Sequence, residues 1–98
     1  MQTEHLISTT ELCAHYNVEL SFISALGEYG LLEIISTEEN GFIDANELRK
    51  LEQYTRLHYD LDVNFEGIEA INHLLQRIRN MQEEIINLKN RLRLYESK

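Results

Sequence analysis

The sequence predicts a mainly α fold with a small β-wing: a winged helix-turn-helix head, residues 1–63, followed by a long coiled-coil helix, residues 64–98. Three observations carry this prediction. Two short stretches of helical apolar spacing are joined by a tight Asn17-Val18 turn. Asn40-Gly41 sits between two short β-branched runs. Phe65 to Glu96 then runs without a Pro, and its apolar residues recur at alternating spacings of three and four.

The elements follow in order. His5 to Ser8 reads as a short entry strand. Ser8 followed by Glu11 matches a capping box, so a helix starts there, with Leu12, Cys13 and Tyr16 on one side. A second helix begins near Glu19. Phe22, Ile23, Leu26 and Tyr29 form its inner stripe, and Gly30 supplies the stop. Leu31 to Ile35 is apolar and β-branched enough for a strand, and Phe42-Ile43 returns after the Asn40-Gly41 turn. Asp44 and Glu47 form a cap-like pair that opens a third helix, lined inside by Leu48, Leu51, Tyr54 and Leu57. Leu61 to Asn64 breaks the pattern, and Asn64 is the expected N-cap of the long helix.

Read in sevens, the long helix keeps one register. Ile71, Ile78, Ile85 and Leu92 take position a; Leu74, Met81, Leu88 and Tyr95 take position d. Leu75, at e, widens the stripe near the start. A continuous helix of this length is about 48 Å long. A head of about sixty residues cannot cover it, so the distal half calls for a partner helix. Ile at a with Leu or Met at d favours two strands, and a homodimer is the expectation. The seam is Ile71, Leu74, Ile78, Met81, Ile85, Leu88 and Leu92. Glu84 facing Lys89 and Arg91 facing Glu96 suit a parallel pair.

The totals fit a soluble globular protein. A head of this size buries only ~60 % of its unfolded surface, so pairing through the rod would help it. No apolar run is long enough to span a bilayer. Met1 to Glu11 has no Lys or Arg and no apolar core, unlike a secretory signal. Cys13 is the single cysteine, which excludes an intrachain disulfide and points to a reducing cytoplasm. Charge is divided unevenly. Residues 1–69 carry fourteen acids and three bases; residues 70–98 carry three acids and six bases. The first basic residue is Arg49. The head is an acidic body and the tail a mildly basic rod, so the head attracts basic protein surfaces and repels phosphate.

Catalysis has little support, because no Gly-rich phosphate loop and no nucleophile motif is present; no cofactor is expected. Three stretches carry metal-ligand residue types. Cys13 and His15 are two apart on a helix and share no face. Ser36 to Glu47 resembles an EF-hand loop, with Gly41 at its sixth position, Asp44 at its ninth and Glu47 at its twelfth. Ser36 replaces the usual first-position Asp, Glu38 is long for the third, and no second loop is present to pair with it. The wing is the preferred reading. His58-x-Asp60-x-Asp62 reads as a solvated acidic connector or part of a partner surface. Asp60, Asp62, Glu66 and Glu69 gather at the junction of the third helix and the rod, and Glu66 and Glu69 share a helix face.

The order of elements, with Gly30-Leu31-Leu32 and the turn at Asn40-Gly41, resembles the MerR-type winged-helix proteins. DNA readers of that family carry Arg and Tyr along the second helix and basic residues in the wing. Here Glu19 to Tyr29 has no Lys or Arg, and the wing tip is Glu38-Glu39. Phosphate contacts need cations. Leu12 to Val18, Arg56 to Leu61, and Gly67-Ile68 leading into a leucine-rich helix look like the CbpM family of chaperone modulators. That resemblance implies a non-enzymatic protein that binds the J-domain of a DnaJ-like co-chaperone, CbpA, and blocks its stimulation of Hsp70. A J-domain engages Hsp70 through a basic helix and an adjacent His-Pro-Asp loop. The acidic corner of Asp60, Asp62, Glu66 and Glu69 would meet that helix, with Arg56 placed to meet the loop Asp. A MerR-like transcription regulator is the alternative.

Overall fold

A computed structural model describes residues 5–96; residues 1–4 and 97–98 of the two expected segments lie outside it. The chain runs β1 (Leu6–Ser8), α1 (Thr9–Tyr16), α2 (Leu20–Glu28), β2 (Ile34–Ser36) and β3 (Gly41–Asp44). A 3-10 turn (Ala45–Glu47), α3 (Leu48–Thr55), a π-turn (Arg56–Asp60) and α4 (Phe65–Glu96) follow. Its long dimension is 61 Å against 35 and 20 Å, which reflects α4 projecting from the head.

Local chemistry explains the boundaries. The Ser8 hydroxyl accepts from the Glu11 N–H at 3.1 Å and starts α1. The reciprocal half of the expected capping box differs. Glu11 turns its carboxylate to the Ser8 hydroxyl at 3.5 Å, because Ser8 still lies in the sheet, opposite Phe42. Asn17 ends α1 in the left-handed region at φ 57°, which an Asn side chain tolerates. Gly30 ends α2 at φ +74°. The Leu31 N–H then reaches the Leu26 carbonyl at 2.9 Å, and the Gly30 N–H reaches Gly27 at 3.1 Å. These are the two bonds of a Schellman motif, and Gly suits its left-handed position.

Two expectations around the wing are corrected. Leu31 and Leu32 are not strand residues. The reversal at Gly30 turns both into the core, each 4 % exposed, and β2 begins only at Ile34. The hairpin does not close through a two-residue Asn-Gly turn, since neither Asn40 nor Gly41 has a positive φ. A four-residue loop forms instead. Thr37 clamps it: its N–H donates to the Asn40 carbonyl at 2.7 Å, and its hydroxyl accepts from the Asn40 N–H at 3.2 Å. The sheet has order β1-β3-β2 and is antiparallel throughout, so the entry strand pairs with the far arm of the wing. Ile43 stands opposite both Ile7 and Ile34 and is fully buried.

The core is filled from four elements. Ile23 and Leu26 of α2, Ile43 of β3, Leu51 of α3 and Ile68 of α4 are all inaccessible to solvent. Asn64 caps α4 as expected: its side-chain oxygen accepts from Gly67 N–H at 2.8 Å. Ile68, Ile71, Asn72 and Leu75 of α4 are buried or half-buried against the head. The a/d seam lies on a different face, rotated by roughly a quarter of a turn. Leu74, Ile78, Met81, Ile85, Leu88 and Leu92 are therefore exposed, and only Ile71, at the border of the two faces, is half-covered within one chain. Among the described residues no helix is long and apolar enough to cross a membrane.

Candidate functional site

The junction of α2, the π-turn and α4 is built on a column of rings. Tyr29 stacks on Phe65 (5.5 Å between centroids), Phe65 on His58 (5.0 Å), and His58 on Phe22 (4.9 Å). Helical spacing turns Phe22 of α2 and Tyr29, the C-cap just past its end, toward the same side, and the turn at residues 61–64 brings Phe65 back over them. The His58 Nδ1–H donates to the Val63 carbonyl at 3.0 Å, which fixes the tautomer. His58 is thus a packed ring that closes the connector. The candidate His58-x-Asp60-x-Asp62 metal cluster is not assembled. Among the described residues, no three His, Cys, Asp or Glu side chains are placed to hold a metal ion.

The acidic residues divide into two pairs around this column. Glu66 accepts a hydrogen bond from the Tyr29 hydroxyl at 3.0 Å. That bond, then loss of solvent and the charges of Glu66, Glu69 and Glu28, push the Tyr29 phenol above its ordinary value. Glu66 and Glu69 are therefore gathered at the C-terminal end of α2, beside Glu28. Asp60 and Asp62 are exposed on the connector. Its backbone is closely held. The Leu61 N–H reaches the Arg56 carbonyl at 3.2 Å, and the Val63 N–H reaches Leu57 at 2.9 Å. Asp62 sits in the left-handed region at φ 59°. Arg56 opens the π-turn and is exposed. The one ion pair among the described residues is Lys50–Glu47, 3.3 Å. Asp60, Asp62, Glu66 and Glu69 thus enter none.

The rest of the head continues the acidic surface. Glu19 and Glu28 bracket α2, and a shallow groove between α2 and β2 is lined by Ser24, Gly27, Glu28, Ile34 and Ser36. Glu38 and Glu39 stand exposed at the wing tip. The EF-hand-like segment folds as this wing, and its ligand candidates have other work. Asp44 caps the 3-10 turn through the Asn46 N–H at 2.8 Å. Glu47 accepts from the Glu33 N–H at 3.3 Å and pairs with Lys50. A larger cleft of about 530 Å³ opens between α1 and the start of α3, lined by Ile7, Glu11, Leu12, Ala14, His15, Tyr16 and Leu48. Its Tyr16 hydroxyl donates to Glu52 at 2.8 Å. Cys13, half-buried beside it, is a thiol whose pKa burial raises, the opposite of an activated nucleophile.

Sequence reasoning located the carboxylates but missed what positions them. By sequence alone Tyr29 falls on the core stripe and His58 in an acidic connector. Each is a contact that crosses more than one element. Tyr59 and Leu61 are 47 % and 62 % exposed, and their alternation with Asp60 and Asp62 is visible in the chain.

Comparison with known proteins agrees with this architecture. The family described as MerR HTH family regulatory protein matches residues 7–90. No curated protein and no solved structure gives a significant match. The match spans the head and most of α4, and the structure has the helix-turn-helix, the wing and the long C-terminal helix in that order: the chain belongs to the MerR helix-turn-helix family.

Proposed function

We propose that this protein is a non-enzymatic, cytoplasmic modulator that binds the J-domain of a DnaJ/CbpA-like co-chaperone and inhibits its stimulation of Hsp70. The observation that carries the reading is the charge of the helix-turn-helix face. Every charged side chain from Glu11 to Glu47, through α2 and the wing, is a carboxylate. A phosphate backbone is repelled by such a face, whereas the basic helix of a J-domain is drawn to it. The CbpM-like stretches at Leu12 to Val18 and Arg56 to Leu61 support the same partner. Inhibition follows from occupancy, since a J-domain covered on its basic helix cannot reach Hsp70.

The protein acts in this reading as a homodimer joined along the exposed seam of α4. The test is calorimetric titration of the full chain with an isolated J-domain, beside an Hsp70 ATPase assay. Saturable binding and loss of J-domain stimulation are expected; absence of binding overturns the reading.

A second reading has the family match in its favour: a MerR-like DNA-binding regulator. A gel-shift assay on duplex DNA at low salt, where phosphate attraction is strongest, separates the two. No retardation at micromolar protein is expected. A shift that weakens with salt would establish the regulator instead.

A further inference from the structure

We infer that Tyr59 and Leu61 are the apolar anchors of the partner contact, and that they select a cationic helix presenting an apolar side chain between its basic residues. This rests on the J-domain reading and deepens it. Leu61 is 62 % exposed, more than any other large apolar side chain among the described residues of the head, and Tyr59 is 47 % exposed. Neither belongs to a loose segment. The Leu61 N–H bonds Arg56, the Val63 N–H bonds Leu57, and His58 closes the loop on the Val63 carbonyl. The Tyr59 ring meets Phe22 edge-on at 5.1 Å and His58 at 5.0 Å, so its inner edge is fixed to the core. Two apolar groups are thus displayed on a backbone already ordered before binding, which lowers the entropic cost of association.

Their surroundings name the occupant. Asp60 and Asp62 alternate with the anchors, and Glu66 and Glu69 lie on the helix that follows. A purely apolar partner would strip water from these carboxylates without replacing it. A basic helix meets both demands, because Lys and Arg carry apolar stems under cationic tips. Apolar and aromatic anchors hold an interface together, while rim charges chiefly set how fast the partners meet. The two groups of residues should therefore separate kinetically.

The experiment is surface plasmon resonance of the full chain against the isolated J-domain of a DnaJ-like co-chaperone. Leu61→Ala and the bulk-preserving Leu61→Gln are each expected to raise the dissociation rate about tenfold or more. The association rate should stay within about twofold and the melting temperature should be unchanged, since the side chain makes little internal contact. Asp60→Asn/Asp62→Asn should slow association instead. Ile86→Ala, equally exposed but about 30 Å along α4 from the connector, should change neither. If both Leu61 variants dissociate at the wild-type rate, the anchors lie elsewhere and the J-domain reading survives. If the wild-type chain does not bind, both fall.

Discussion

The Tyr54 hydroxyl lies 3.1 Å from the side-chain oxygen of Asn72, which ties α3 to the start of α4. The same hydroxyl lies 3.3 Å from the Leu31 carbonyl, just past the end of α2. One phenol thus joins α3 to α4 and to the end of α2. Tyr54→Phe keeps the ring, which is 3 % exposed, and removes the polar link. A loss of about 1 kcal/mol is expected. For a domain of this size that is a fall of roughly 4–8 °C in Tm, read by thermal denaturation. A Tm within about 1 °C of wild type would mean that water replaces the phenol without loss.

Three of the five tyrosines should titrate late. Burial raises the Tyr16 phenol above its ordinary value of 10.0, and its hydrogen bond to Glu52 adds to this. At Tyr29 the bond to Glu66 leads. At Tyr54 burial leads, with the Glu47 charge adding and Arg79 opposing. A raised folded pKa means that the native state keeps a proton which the unfolded chain gives up. The stabilisation is full below pH ~10 and is lost as pH rises through the folded values. Alkaline absorbance titration should show these phenols ionising later than an ordinary tyrosine, and stability falling above pH ~10. A full tyrosine titration at the ordinary value with the fold retained would contradict the three contacts.

Much of this architecture was legible because its signals are local. Gly30 after a helical stripe, Asn64 before a helix, and Ser8 three residues ahead of Glu11 each act through the backbone within a turn. Their consequences could be read one residue at a time. Pairing between distant segments was not legible. Nothing near Leu6 announces that it pairs with Asp44 rather than with a nearer strand. Leu31 and Leu32 have strand-like composition, but burial after a left-handed Gly overrides propensity. His58 illustrates the same limit at the candidate site. Asp60 and Asp62 follow it at alternate positions in sequence, whereas its neighbours in space are Phe22 and Phe65. The heptads of α4 were plain, and the structure adds that the seam and the head-facing stripe are separate faces.

That separation makes the seam testable without disturbing the head. Ile78 and Ile85 are 46 % and 51 % exposed within one chain, so Lys at either place fits a lone molecule. Across a helix pair the same Lys would set like charges together and bury ammonium groups without partners. Wild type is expected to sediment as a dimer, and Ile78→Lys or Ile85→Lys as a monomer with an intact head. A wild type that remains monomeric at high concentration would remove the paired-helix proposal.

The acidic corner gives the last prediction. Asp60→Asn, Asp62→Asn, Glu66→Gln and Glu69→Gln together remove four charges and leave each side chain's shape nearly unchanged. The structure indicates that the fold will tolerate them. Asn accepts the left-handed conformation that Asp62 holds. A Gln at position 66 keeps a carbonyl oxygen to accept from Tyr29. What is lost inside the chain is the interaction of Glu66, in the first turn of α4, with the helix dipole. What is lost outside is attraction for a basic helix. Binding of the quadruple variant to a J-domain should therefore be weaker and much less sensitive to salt, chiefly through slower association. Unchanged affinity and unchanged salt dependence, with the fold intact by circular dichroism, would move the contact to the other carboxylates of this face, around Glu19 and Glu28 on α2.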